Sequence, residues 1–419
     1  MNTANPTAPQ RLYFLDWLRI IAFGLLVPYH VGMYYVRWDF HVKSPFAGPW
    51  LEPWMMLSSP WRLCLLFVVS GAATSFMLAR GGSGALLRSR TKRLLLPLVC
   101  GMVLIVPPQS YFEVVQKYAY TGSYLDFLGL YFTGYKGFCA SAGHCLLLPT
   151  WNHLWFLPYL WIYTLMLWAL LRWRPNALDA LARFTERVLQ GARLILLPIA
   201  VIIAVRLALY GRFPTTHAFV GDWFAHAMYA GMFVTGAVFA RLPGIWTRLA
   251  DWRWPALLVA FACWAIGWVL VSSLGAQFPG LVRQVVYASF QWTALVAAIG
   301  FARQHLDADH RWRQQLTEAV FPVYIFHQTW IILISQALLP LRWPPLVEGP
   351  VLIAATFALS WGSYEAVRRV GALRTWFGMS AAPQRAPLTA ASTGSPPNPA
   401  ATRSASGPRA RAASARLRR

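Results

Sequence analysis

From Trp254 to Val282 the chain runs without one charged side chain. A helix over that stretch rises roughly 40 Å at 1.5 Å per residue, which exceeds a bilayer hydrocarbon core of about 30 Å. Comparable charge-free windows recur at Gln284–Ala302, Ala319–Leu341, Leu154–Leu171, Trp223–Ala240, Leu63–Ala79 and Leu94–Ser110. Only 12% of the residues are charged and 57% are hydrophobic, whereas a soluble domain carries about 25% charged residues. The chain therefore reads as an all-α polytopic membrane protein.

Ten spans in one bundle account for the windows: Leu15–Val36, Pro60–Ala79, Arg93–Ser110, Leu154–Leu171, Arg193–Tyr210, Val220–Ala240, Pro255–Val271, Arg283–Ala302, Ala319–Leu339 and Gly349–Arg368. The net charge of +23 does not form a nucleic-acid face. Most of the Lys and Arg fall on one side of this layout, in the blocks Arg80–Arg93 and Arg172–Arg193 and at the C-terminus. That asymmetry predicts cytoplasmic N- and C-termini and contact with anionic lipid. Residues 1–10 form a short polar N-terminus without a signal-peptide pattern. Residues 383–419 are rich in Ala, Ser, Pro and Arg, lack any acid, and read as a disordered tail that buries no core. The five Cys show no metal-binding spacing. Cys139 and Cys145 lie in an expected outer loop, where a disulfide is permitted. The segment from Gln109 to His153 is aromatic and reads as a lid or substrate-facing element at the outer interface.

Polar groups inside the apolar windows carry the functional information, because an ionisable side chain near mid-bilayer costs a few kcal/mol. Arg19 and His30 are eleven positions apart, so they share one helix face and are separated by roughly 16 Å along the axis. Asp16 lies three residues before Arg19 and is placed to pair with and orient it. His30 would sit deep in the bundle, where neutral imidazole suits general-base work. Arg90 and Arg93, about one turn apart, read either as positive-inside anchors or as a phosphate grip. Arg62 reads as a snorkelling boundary residue, and His226 and His327 read as interhelical hydrogen-bonding groups. Two functional classes stay open on this reading. An enzyme would use His30 as a base. A secondary transporter would use the buried Asp, Arg and His as substrate or proton sites.

The segment "RLYFLDWLRIIAFGLLVPYHVGMYYV", with Arg19 and His30 in a basic–ten–His pattern, resembles the membrane-bound acyltransferase 3 family. More closely it resembles that family's glucan biosynthesis protein C (periplasmic glucan succinyltransferase) branch. Further matches follow in order: Ser70 and Gly71 in "LFVVSGAATSFML", Arg90 and Arg93 in "RTKR", "HLWFLPYLWIY" from His153, then "FPVYIFHQTWIIL" and "YEAVRRVGALRTWFG". Residues 11–378 are thus identified as an acyltransferase 3-like transmembrane domain. The resemblance implies an O-acyltransferase of the bacterial inner membrane. It would move an acetyl or succinyl group from cytoplasmic acyl-CoA, a co-substrate, to a hydroxyl of an extracytoplasmic glycan. It implies no tightly bound cofactor and no metal. It implies catalytic roles for His30, Arg19 and Asp16, and coenzyme contacts from Arg90, Arg93 and Arg19. It also implies substrate contacts from Ser70, His153, Trp155 and His327. A succinyl pocket requires one further cation, for which Arg206 is a candidate.

Overall fold

The computed structural model describes residues 11–141, 144–277 and 279–380, and helices dominate them. The expected polar N-terminus, 1–10, and the expected tail, 383–419, lie outside the described residues. Eight described runs are long and apolar enough to cross a bilayer, but one of them, Pro49–Ile105, is 57 residues long. As a single helix it would rise about 85 Å, nearly three times the hydrocarbon core. Its backbone breaks at Gly82, where φ is 73° and ψ is 175°, a conformation that only glycine adopts cheaply. The chain turns back there. Arg90 Nη2 donates to Thr74 Oγ1 at 2.9 Å and to Ser70 O at 3.4 Å, whereas a straight helix would hold positions 74 and 90 about 24 Å apart. Pro49–Ile105 is therefore two spans. Trp223–Phe239 passes the same length and hydropathy test only together with Pro243–Asp251, from which it is bent by 111°. With that pair counted as one span, the candidates among the described residues match the expected layout of about ten.

Local chemistry explains the irregular points. The first span is split into Tyr13–Gly24 and Leu26–Tyr35. Pro28 has no N–H to offer the Gly24 carbonyl four residues earlier, so the ladder skips one rung. Leu25 stays in the right-handed helical region, and the span continues. The second and sixth spans cross at glycines. A Cβ on Gly71 would lie 1.9 Å from Phe233 O, and one on Gly236 would lie 1.9 Å from Val68 O. Only glycine lets the two backbones touch, which is how apolar spans gain attraction without help from water. The glycine of the Ser70-Gly71 pair is thus a packing residue.

The segment between the third and fourth spans is ordered. Helices Pro107–Tyr118 and Tyr124–Phe132, the latter opened by a Ser123–Asp126 capping box, enclose a small core of Val114, Phe127, Tyr131 and Phe138. A short hairpin pairs Cys139–Ser141 with His144–Cys145, and Cys139 and Cys145 form a disulfide. Burying each of these aromatic rings stabilises the segment by about 1.5–3 kcal/mol. Its residues Glu113, Lys117 and Leu147 line the same cavity as His30.

Candidate active site

His30 lines a cavity of about 530 Å³ together with Tyr29, Ser59, Arg62, His153 and Trp155. Its hydrogen bonds fix which nitrogen is basic. His327 Nδ1 donates to the Tyr324 carbonyl at 2.6 Å, because a carbonyl oxygen can only accept. In the neutral ring, His327 Nε2 is then an acceptor. It lies 2.8 Å from His30 Nδ1, so His30 must donate from Nδ1. The lone pair of His30 is left on Nε2. A backbone carbonyl thus sets the tautomer of His30 through a second imidazole. The two rings lie nearly parallel, 5.0 Å apart.

His153 is held by the same logic. Its Nε2 donates to Ile325 O at 3.0 Å, while its Nδ1 faces Gln109 Nε2 at 3.4 Å. Gln109 is itself fully committed. It donates to Thr329 Oγ1 at 2.7 Å, and its Oε1 accepts from Asn152 and Gln328. His327, His153 and Gln109 are therefore each positioned by another group, as a buried network requires.

Placement corrects several expectations. His327, for which the resemblance implied a substrate contact, is 1% exposed and stands behind His30; it bonds that ring across two spans, as the interhelical reading expected, and orients it. His226 matches the interhelical reading, bonding Tyr163 Oη and Phe219 O. Arg62 is no snorkelling residue: it is 1% exposed. It lies over the Tyr29 ring at 3.9 Å, donates from Nη1 to Ser58 Oγ at 3.2 Å, and has no partner for Nε. Arg206, the candidate extra cation, lies outside this cavity and faces another one. Trp155 lines the wall, but His217 stacks on its ring at a centroid distance of 3.8 Å. His217 comes from the loop before the sixth span. Burial pushes its pKa down to about 4, although the Asp222 carboxylate pulls the other way. It is thus neutral near pH 7, and its Nε2 has no hydrogen-bond partner among the described residues.

The opening of the cavity carries charge. Glu113 sits between His41 Nδ1 at 2.5 Å and Lys117 Nζ at 3.0 Å. Burial alone would raise its pKa, but these two partners outweigh that and hold it near 2. Lys117 also reaches Asp39 at 2.8 Å.

The other end of the first span is different. Arg19, Arg90 and Arg93 come close enough to feel one another's charge. Asp16 was expected to orient Arg19, but its carboxylate accepts from Arg313 at 2.7 Å and from Arg11 at 2.9 Å. Arg19 makes no hydrogen bond or ion pair among the described residues and keeps Asp16 only as a nearby charge. Ser70, expected with the substrate groups, belongs to this cluster, where its carbonyl accepts from Arg90. The sequence reading missed His217 and Gln109 and misjudged Arg62. A lone imidazole in a loop, an uncharged amide and an arginine at a span boundary give no periodic signal.

Comparison with known proteins follows the same outline. A family model described as an acyltransferase domain matches residues 12–365. Proteins named Glucans biosynthesis protein C, from Escherichia coli strains SMS-3-5 / SECEC and K12 and from Shigella dysenteriae serotype 1, are each 28% identical over 173 residues. The matched stretch is 41% of this chain and 42% of each relative, so it spans less than half the length of either. No solved structure matches the chain.

Proposed function

Since the chain belongs to the acyltransferase 3 family of membrane enzymes, which transfer acyl groups other than aminoacyl groups, we propose that it carries an acyl group from cytoplasmic acyl-CoA to a hydroxyl of a glycan on the far side of a bacterial inner membrane. The observation that carries this reading is the tautomer of His30, whose free Nε2 belongs to a ring lining a cavity large enough for an acyl group and a sugar hydroxyl. Both termini lie on the cytoplasmic side in this reading, following the placement of the Lys and Arg. The donor enters at the arginine end, where Arg19, Arg90 and Arg93 grip its phosphates through charge-assisted hydrogen bonds. Its flexible arm then spans the roughly 16 Å to His30.

The acceptor hydroxyl, positioned by His153, His217 and Trp155, gives its proton to His30 Nε2 as its oxygen attacks the thioester carbonyl carbon. The carbon–sulfur bond then breaks, and the sulfur leaves with the proton that His30 returns. The products are an ester and a free thiol. His327 and the Tyr324 carbonyl hold the imidazole in the one tautomer that can do this. Arg62 supports succinyl over acetyl. It is a buried cation on the wall that His30 lines, with Nε unpartnered, and a succinyl group brings the carboxylate that an acetyl group lacks.

The test is a mass comparison of cell-envelope glycans from cells with and without the gene, joined to thiol release by the purified protein. The reading requires loss of a succinyl increment from a glycan and thiol release that depends on acyl-CoA. Unchanged glycan masses together with no thiol release would remove it.

A further inference from the structure

Away from the His30 cavity, a second hollow of about 370 Å³ opens between the fifth, seventh and eighth spans. Two cations converge on it. Arg206 begins a π-helical turn, Arg206–Tyr210, that ends the fifth span; such widened turns concentrate at functional sites. The guanidinium lies over the rings of Tyr287 at 4.0 Å and Tyr210 at 4.7 Å, and Nε donates to Gln284 Oε1 at 2.6 Å. Arg206 is only 6% exposed. Its two Nη groups donate to no protein atom among the described residues, and no carboxylate pairs with it. Arg283, exposed and on the same rim, adds a second positive charge that acts on the first. Glu52 also lines the hollow, but Arg37 holds both of its oxygens.

A largely buried guanidinium facing a like charge, with the one acid on the wall already held by Arg37, is stabilised further by an anion from elsewhere. The rest of the hollow indicates what that anion is attached to. Below the cations the wall is apolar, formed by Trp264, Trp268 and Phe290; Phe290 lies about 10 Å further along its span than Arg283. One side is the seventh span, Arg253–Leu274, of which only 6% is buried within the bundle. That side therefore borders lipid. We propose that this hollow binds an anionic membrane lipid, its phosphate between Arg206 and Arg283 and an acyl chain along Trp264, Trp268 and Phe290. Four features fit together: charge above, an apolar wall below, a lipid-bordering span as one side, and donors without acceptors.

The test uses the full chain, reconstituted in phosphatidylcholine vesicles containing phosphatidylglycerol, then extracted and weighed by native mass spectrometry. The wild-type protein should retain one phosphatidylglycerol in preference to phosphatidylcholine. Arg206→Gln with Arg283→Gln should lower that retention at least tenfold, while Arg206→Lys with Arg283→Lys keeps most of it. Should Arg206→Gln fail to insert, Arg283→Gln alone, at an exposed position, should still lower retention severalfold. Inorganic phosphate at millimolar concentration should not displace the lipid. Equal retention by the Gln variants, equal retention of the zwitterionic lipid, or displacement by inorganic phosphate would overturn the proposal. None of these outcomes bears on acyl transfer at His30.

Discussion

The two ends of the first span are built in opposite ways. Around His30, the groups behind the ring are tied to partners: His327 to Tyr324 O, His153 to Ile325 O, and Gln109 to three side chains. Around Arg19, guanidiniums gather without acids, and the nearest carboxylate, Asp16, is taken by Arg313 and Arg11. A fully satisfied network holds one geometry and one tautomer, which proton transfer needs. A cluster of underused donors is poised for an anion that comes and goes. In the proposed function the first end is organised for chemistry, the second for binding.

That contrast orders the expected effects. His30→Ala removes the base itself and should cut turnover by about 10²–10⁴-fold with insertion unchanged. The measurement is thiol release by the purified variant, and near-normal turnover would make His30 a packing residue. His327 should matter through His30. His327→Phe removes the acceptor for Nδ1–H and frees the wrong tautomer, so kcat should fall about 10- to 100-fold with little change in KM. His327→Gln, whose Oε1 can still accept, should recover much of that loss. Equal loss in both variants would point to packing alone.

At the other end, Arg90→Ala and Arg93→Ala should raise KM for acyl-CoA about 10- to 100-fold, the worth of a lost charge-assisted contact, and leave the acceptor KM nearly unchanged. A parallel rise in both constants would instead mean that the bundle had loosened. The last effect is on stability rather than turnover and belongs to the charged groups that line the cavity. Glu113 has its carboxyl held near 2 rather than the usual 4.5. A depressed acid contributes stability that is fully present above pH 4.5 and is lost as pH falls through about 2, here about 3 kcal/mol. Melting curves of wild type and Glu113→Gln should differ at pH 7 and converge near pH 2. A gap that persists at pH 2 would assign the stability to shape rather than charge.

The spans were legible because a membrane helix is written locally, as a window without charge. The first-span pair Arg19 and His30 was legible for the same reason, since phase and rise follow from sequence spacing. What failed was decided between elements. Asp16 and Arg19 are helical neighbours, yet Arg313, 297 positions from Asp16, reaches that carboxylate first. Arg62 looks like an anchor until Tyr29 closes over it. His327 carries no mark of its role, because the carbonyl that sets its tautomer is ordinary helical backbone. The turn at Gly82, by contrast, was legible: it falls in the basic block Arg80–Arg93 that separates the second and third expected spans.

The central claim is that donor and acceptor meet from opposite faces of the membrane. It is tested most directly in proteoliposomes holding the protein in one orientation, with acyl-CoA and glycan supplied on chosen sides. Acylated glycan should form when acyl-CoA is on the face carrying Arg19, Arg90 and Arg93 and the glycan is on the face nearer His30. Product formed only when both are supplied on the same face would contradict the account.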